Sequence, residues 1–162
     1  MAEDTAQFIL SLKLEKPLLY GFSDGGIIGL LLASKYPGLL AKMAISGANT
    51  KPDATGRGWD LLFKIMYCFS GSRKIKMMLT EPHISAEQLS SIRIPVLVLA
   101  GEKDIIREEE TRFIAANIPN ARLKILKGEN HMSYVINSPK LYPELAEFLS
   151  EVAQDAANTD FG

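Results

Sequence analysis

Apolar residues along this chain follow two kinds of pattern, and the two kinds alternate. Short apolar runs such as "PLLYGF" at 17–22 and "PVLVLA" at 95–100 are typical of strands buried in a parallel sheet. Between them lie longer segments with apolar residues at helical spacing, such as 108–117, which Pro119 closes. Strands that alternate with helices predict an α/β fold, in which helices cover both faces of a parallel sheet.

The same patterns place the individual elements. Strands are predicted within residues 16–23, 39–49, 94–104 and 121–131. The last strand alternates apolar and polar residues, which indicates a place near the sheet edge. Residues 24–36 are apolar nearly all round, which is typical of a helix in the middle of a domain. Ser138 and Pro139 predict the N-cap and the first turn of a final helix.

The segment 50–93 breaks this alternation. It contains no good strand but several amphipathic helical stretches, one of which begins with a capping box formed by Ser85 and Gln88. We therefore predict one structural domain that carries an insertion of helices. Its parts are an N-terminal portion at 1–49, the helical insertion at 50–93, the remaining strands and helices at 94–153, and a disordered tail at 154–162.

The large apolar residues of the insertion have two interpretations. We expect most of them to pack the insertion on the sheet, although they also suit the lining of a pocket. Cys68 is expected to be buried among them. The residues concerned are Trp59, Phe63, Met66, Phe69, Met77 and Met78.

Composition and charge argue against several classes of partner. A chain of 162 residues suits a single domain, and its net charge of −1 gives no electrostatic reason for binding nucleic acid or an anionic membrane. Cys68 is the only cysteine, so neither an intrachain disulfide nor a thiolate metal cluster can form. The acidic N-terminus and the short longest apolar run, 27–33, are unlike a signal peptide or a membrane span. We therefore expect a soluble, cytoplasmic protein.

Ser23 is the first candidate for chemistry. It lies in "GFSDG", which fits the pattern G-x-S-x-G between a predicted strand and a predicted helix. A strand that turns directly into a helix crowds the corner residue, and glycines on both sides, Gly21 and Gly25, would remove the collisions there. The hydroxyl would then stand exposed at a helix N-terminus, where negative charge is favoured. The alternative is an ordinary helix N-cap.

Two further residues lie where they could act on Ser23. Asp104 ends the third predicted strand and His131 ends the fourth, and the carboxyl ends of parallel strands meet at one edge of a sheet. Taken alone, each residue has a simpler interpretation that is favoured: Asp104 as a turn or cap residue, and His131 as a loop residue. Together, in the order Ser, Asp, His, they favour a nucleophile with its base and its orienting acid. Glu102 is a rival for the acid, and His83 is expected at the surface.

These residues carry a resemblance to a known family. The segments "GFSDGG", "VLAGEKDII" and "GENHMSY", with the helical insertion before the second, resemble the α/β-hydrolase family, and most closely its small bacterial esterases and C–C hydrolases. The resemblance extends from Glu3 to about Val152, and the insertion is similar to the family's helical cap. It implies an α/β-hydrolase-type parallel sheet flanked by helices, of which this chain would hold the C-terminal portion with about four strands.

The resemblance also implies a role for each site residue. Ser23 would be the nucleophile, His131 the general base and then acid, and Asp104 the residue that orients the imidazole. The backbone N–H of Asp24 would donate a hydrogen bond to the oxyanion. Phe22 would be the second residue that contacts the oxyanion or the substrate. The implied reaction is hydrolysis of a small carboxylic ester, with a small-molecule substrate as partner and without a cofactor or a metal. Thioesters, lactones and C–C bonds are alternatives for the bond, and a catalytically weak module for binding or assembly is the alternative for function.

The chain departs from the family ahead of the serine motif. Family members have several strands and a helix before this point, including the loop that supplies the second oxyanion donor, whereas this chain reaches its serine at residue 23. The strand around Leu18–Tyr20 would therefore form an open, apolar sheet edge. Two solutions stay open: the chain is part of a longer hydrolase and is truncated here, or two copies pair edge to edge as a homodimer.

Overall fold

The computed structural model describes residues 1–159, except for the side chains of Arg57, Asp60, Lys74, Met78 and residues 152–159. In chain order the elements are α1 (Ala2–Ser11), β1 (Leu18–Phe22), α2 (Asp24–Lys35), β2 (Lys42–Ser46), a 3₁₀ turn (Pro52–Ala54), α3 (Arg57–Ser70), α4 (Arg73–Thr80), α5 (Ala86–Ser90), β3 (Val96–Lys103), α6 (Glu108–Asn117), β4 (Ala121–Asn130) and α7 (Leu141–Thr159). The predicted alternation of strands and helices is confirmed. Within the described range, every helix is too short or too polar to cross a bilayer.

The four strands form one parallel sheet in the order β1-β2-β3-β4. Met43 of β2 lies beside Leu19 of β1 and Val96 of β3, and Val98 of β3 lies beside Leu123 of β4. β2 and β3 are central, which is why they are apolar on both faces. The predicted parallel sheet of four strands is confirmed, and β4 lies at an edge.

Successive residues of the central strands point to opposite faces of the sheet, so each strand contributes to two cores. Met43 and Val98 pack on one face with residues of α1, α2, α5 and α6. Ala44 and Leu97 pack on the other face with Phe148 of α7. Helices therefore cover both faces of the sheet, as the alternation predicts.

β1 forms the other edge of the sheet and pairs with β2 alone. Among residues 1–159 its outer side has no strand beside it. Leu18 is 49% exposed and Tyr20 is 37% exposed, so this edge is apolar as well as open. Pairing of two copies along it stays a prediction.

The segment 50–93 contains the 3₁₀ turn, α3, α4 and α5, which are joined by short non-helical stretches. The capping box is present at the start of α5. Ser85 N donates to Oε1 of Gln88 over 2.9 Å, and Gln88 N donates to Oγ of Ser85 over 3.3 Å. These two bonds satisfy N–H groups that a helix start otherwise leaves unpaired.

The packing expected of the insertion is wrong for part of it. The main packing partner of α3 is α4, so the apolar side of α3 stays open, with Phe69 90% exposed and Trp59 45% exposed. Cys68, expected in the interior, is exposed as well. An amphipathic pattern shows that a helix has an apolar side but not that another element lies against it. The side chain of Met78 lies outside the described residues.

The final helix begins later than the sequence predicts. Oγ of Ser138 accepts a hydrogen bond from Lys140 N over 3.3 Å, which closes a turn, and α7 starts only at Leu141. The predicted start is therefore wrong, because the bond of Ser138 closes a turn that lies before α7 and not the first turn of the helix itself. α7 continues to Thr159, inside the segment 154–162 predicted as a tail, and residues 160–162 lie outside the described range.

Candidate active site

Ser23 lies at the corner between β1 and α2. Its backbone has φ 53° and ψ −117°, a conformation that residues other than glycine rarely adopt. Hydrogen bonds hold the corner on both sides. Ser23 N donates to Ser46 O over 2.8 Å, and Ser23 O accepts from the N–H groups of Gly26 and Ile27 over 2.9 Å and 3.1 Å. A strained residue that its surroundings fix in this way is typical of a functional site.

The side chain of Ser23 does not cap α2. Its Oγ lies 3.3 Å from Nε2 of His131 instead. The N-cap role, which the sequence leaves as an alternative, is therefore not the role of this hydroxyl. The first N–H groups of α2 are left without a side-chain cap, which is the arrangement that favours an anion at a helix N-terminus.

The two glycines of the motif differ in what surrounds them. A Cβ on Gly21 would lie 2.3 Å from the carbonyl oxygen of Gly25 and 2.7 Å from the nitrogen of Gly26, both of them backbone atoms. A Cβ on Gly25 would meet no atom within 4 Å. The expectation that both glycines remove collisions is therefore wrong for Gly25, because the close approach between β1 and the start of α2 falls at Gly21.

Asp104 and His131 follow the ends of β3 and β4, at the same sheet edge as Ser23. Nδ1 of His131 lies 2.6 Å from Oδ1 of Asp104. The Asp104 side chain is 2% exposed and that of His131 is 12% exposed. The carboxylate of Asp104 also accepts from the backbone N–H groups of Ile106 over 3.0 Å and Gly101 over 3.4 Å. Three partners therefore fix the carboxylate beside the imidazole.

The hydrogen bonds of His131 determine its tautomer. The carboxylate of Asp104 can only accept, so Nδ1 of His131 carries the proton of their bond. In the neutral imidazole Nε2 is then an acceptor, and it faces Oγ of Ser23. A general base needs this tautomer, because Nε2 keeps a lone pair for the serine proton. The structure thus brings the three residues into one hydrogen-bonded chain, while their catalytic roles stay a prediction.

Phe22 and Asp24 flank Ser23 and lie in different surroundings. The ring of Phe22 packs against the imidazole of His131, with ring centroids 4.9 Å apart and planes tilted by 41°. Asp24 is the first residue of α2, so its N–H has no partner within the helix. Asp24 therefore lies where an oxyanion donor is expected, and Phe22 is a neighbour of the imidazole.

One cavity lies at Ser23, and a second cavity adjoins it. The smaller, of about 50 Å³, is lined by Ser23, Asp24 and Phe63 among others. The larger, of about 280 Å³, has a mainly apolar lining that includes Met77. Both include Asp24 and Glu81, so the two spaces adjoin there. Phe63 and Met77 therefore line a pocket, which is the second of the two interpretations that the sequence allows for them. The sequence gives no signal for Glu81, since a glutamate after a surface helix is common.

Glu102, the rival acid, and His83, expected at the surface, both lie away from this chain of hydrogen bonds. Glu102 is exposed, and its Oε2 accepts from Gly128 N over 2.8 Å. His83 is exposed on the insertion and lines a separate cavity with Glu110. Asp104 is therefore the carboxylate that meets His131.

Tyr134 is completely buried three residues after His131. Its hydroxyl lies near the Ser46 side chain, but within the described part of the chain it makes no hydrogen bond of good geometry. Burial raises the pKa of this phenol well above its ordinary value of 10.0, because the ionised form would have to exist away from water.

We expect the Tyr134→Phe variant to be at least as stable as the unchanged protein at neutral pH, because the hydroxyl it removes is buried without a hydrogen bond of good geometry. The unfolded chain releases the Tyr134 proton at a lower pH than the folded one. Tyr134 therefore lowers the stability of the unchanged protein above about pH 10, by at most about 1.4 kcal/mol per pH unit, and the variant lacks this contribution. Urea unfolding of both proteins from neutral pH to about pH 11 measures the difference. If the difference in the free energy of unfolding between the two proteins stays constant across that range, the raised pKa of Tyr134 is contradicted.

No family model matches the chain. Its sequence is 27% identical to serine hydrolase BPHL of Homo sapiens over an alignment 180 residues long. The match covers 95% of this chain and 59% of the human protein. The chain spans little more than half the length of the curated relatives it matches.

Solved structures are similar over most of this chain at lower identity. The esterase EaEST from Exiguobacterium antarcticum matches with a TM-score of 0.76 and 18% identity, over 93% of this chain and 72% of the esterase chain. An alpha/beta fold family hydrolase from Bacillus anthracis str. Sterne matches with a TM-score of 0.71 and 16% identity, over 93% of this chain and 72% of that chain. Similarity at this identity establishes fold rather than function. The chain has the α/β-hydrolase fold, and the resemblance to that family carried by its three motifs is confirmed.

Proposed function

We propose that this chain is a serine hydrolase that cleaves a small carboxylic ester. The observation that carries the proposal is the hydrogen-bonded chain from Asp104 through His131 to Ser23, with contacts of 2.6 Å and 3.3 Å. A relative named a serine hydrolase and an esterase of the same fold support the hydrolase class. The same three-residue arrangement performs acyl transfer on several unrelated folds.

The first half of the proposed reaction transfers the acyl group to Ser23. Oγ attacks the ester carbonyl while Nε2 of His131 takes the hydroxyl proton, and the carbonyl oxygen becomes an oxyanion. When the tetrahedral intermediate collapses, the bond to the alcohol oxygen breaks, and His131 gives its proton to that oxygen. An acyl-enzyme and a free alcohol result.

The second half releases the acid. Nε2 of His131 takes a proton from water, the resulting hydroxide attacks the acyl carbon, and the second tetrahedral intermediate expels Oγ of Ser23. The serine recovers its proton from His131, which returns the site to its starting state. Asp104 stays ionised throughout and stabilises the imidazolium that forms in each half.

The backbone N–H of Asp24 is the proposed oxyanion donor. It belongs to the first turn of α2, where the helix dipole adds positive potential. The resemblance implies a second donor from a loop ahead of β1, and removal of one donor typically costs about 10²–10³ in rate. The alternative function is a catalytically weak module that acts in binding or assembly, and the rates below distinguish it from an active hydrolase.

The cavities support a small substrate with an apolar part. The cavity at Ser23 holds only about 50 Å³, and the larger, mainly apolar space beside it adds about 280 Å³. A short acyl group fits beside the nucleophile, with the rest of the ester extending past Asp24 and Glu81. Thioesters, lactones and C–C bonds are cleaved by the same three residues, so the residues do not select the bond. Rates on a matched ester and thioester distinguish those two substrate classes.

We expect the Ser23→Ala variant to lose at least about 10³-fold of the rate on p-nitrophenyl acetate and butyrate, because the nucleophile is absent. Initial rates at neutral pH measure this. Ser90→Ala is the matched control, since the Ser90 hydroxyl donates to the Glu87 carbonyl of α5, away from the site, and this variant should keep the full rate. Equal rates for Ser23→Ala and the unchanged protein would show that Ser23 is not the nucleophile. A folded but inactive unchanged protein would favour the weak module.

A further inference from the structure

The imidazole of His131 lies against a residue that the reaction itself does not use. Gly47, directly after β2, is buried and has φ +60°. A Cβ placed on it would lie 2.6 Å from Cε1 and 2.9 Å from Nδ1 of His131. Cε1 lies between the two ring nitrogens, so Gly47 contacts the ring edge through which His131 reaches both of its partners.

Neighbouring bonds hold Gly47 in place. Its N–H donates to Leu99 O of β3 over 3.1 Å, and the preceding residue, Ser46, accepts the N–H of Ser23 through its carbonyl over 2.8 Å. The end of β2 therefore fixes the backbone of the nucleophile and borders the space of the base. Phe22 also borders that space, since a Cβ at position 47 would lie 3.6 Å from its Cε2 atom, an ordinary contact.

The geometry points to Gly47 as a positioning residue, whose lack of a side chain sets the place of the His131 imidazole between Ser23 and Asp104. This inference rests on the proposed function, because it concerns the same base. With a Cβ at position 47, the ring would have to move by most of an ångström to reach ordinary van der Waals contact. Such a move lengthens the 3.3 Å approach to Ser23 or breaks the 2.6 Å bond to Asp104.

We expect Gly47→Ala to lower kcat about 10²-fold with little change in KM, because a misplaced base slows the chemistry and Gly47 lines neither cavity beside Ser23. Gly71→Ala is the matched control. Gly71 has φ +57°, and a Cβ on it meets no atom within 4 Å. This control therefore carries the same backbone cost without the contact, and it should keep kcat.

A spectroscopic measurement separates positioning from a merely structural role. The proton in the short bond between His131 Nδ1 and Asp104 should give a far-downfield proton NMR signal, identified by its loss in His131→Ala. The unchanged protein and Gly71→Ala should show this signal, and Gly47→Ala should lose or shift it. The signal does not depend on turnover, so the role of Gly47 can be judged even if Ser23 proves unreactive, and the two failures are distinguishable.

An unchanged downfield signal in Gly47→Ala overturns the inference whatever the activity, and so does an equal change in Gly71→Ala. If Gly47→Ala does not fold, the double variant Gly47→Ala/His131→Ala decides. Recovery of folding in the double variant means that the new Cβ met the imidazole, which supports the inference. Failure to fold in both backgrounds means that the cost lies in the backbone, which overturns it.

Discussion

The Asp104→Asn variant should hydrolyse p-nitrophenyl esters about 10³–10⁴ times more slowly than the unchanged protein at neutral pH. An amide can donate to Nδ1 of His131, which favours the tautomer with its proton on Nε2. Nε2 then has no lone pair for the proton of Ser23, and the charge that stabilises the imidazolium is lost as well. We expect the loss in kcat rather than KM, because the Asp104 side chain is 2% exposed and bonds to the base.

Glu102→Gln is the matched control for this change, since Glu102 is the rival carboxylate two residues earlier. Its exposed side chain accepts from Gly128 N, and the amide oxygen of glutamine can accept the same bond. The rate should therefore stay that of the unchanged protein. A larger loss from Glu102→Gln than from Asp104→Asn would show that the wrong acid has been assigned.

The Gly21→Ala variant should lose about 3 kcal/mol of its free energy of unfolding, or fail to fold. Its new Cβ would lie 2.3 Å from the carbonyl oxygen and 2.5 Å from the carbonyl carbon of Gly25. These are backbone atoms at the start of α2, so the corner that carries Ser23 must open to make room. Urea unfolding, followed by circular dichroism, measures the loss.

Gly25→Ala, four residues later in the same motif, should have the opposite sign. Its Cβ meets no atom within 4 Å, and the position is helical, where alanine is more stable than glycine by about 0.5–1 kcal/mol. If both variants lose stability equally, the close approach does not lie at Gly21. The pair thus tests the corner geometry with one chemical change made at two glycines.

The sequence predicts the elements that local patterns define. α6 spans Glu108–Asn117 as expected, because its helical spacing ends just before Pro119. The predicted start of α7 is wrong because a serine before a proline is typical both of an N-cap and of a turn. Here the Ser138 hydroxyl accepts from the amide of Lys140 in a turn before the helix. The exposure of Phe69 could not be predicted, since the pattern of a helix contains no information on what lies against it.

The same reasoning explains which parts of the candidate site the sequence reveals. Ser23, Asp104 and His131 could be singled out because each follows a strand, and parallel strands end at one sheet edge. Gly47 could not, although it also follows a strand. A glycine at a strand end is common, and its contact with His131 joins segments that are far apart in the chain. Tertiary contacts of this kind leave no local signal.

The central claim, that Ser23 is an activated nucleophile, is tested most directly with a fluorophosphonate and intact-protein mass spectrometry. We expect one adduct on the unchanged protein and on Ser90→Ala, and none on Ser23→Ala, because the probe needs a serine that His131 deprotonates. Peptide mapping should place the adduct at Ser23. An adduct that persists on Ser23→Ala, or a folded unchanged protein that gains none, would contradict the account.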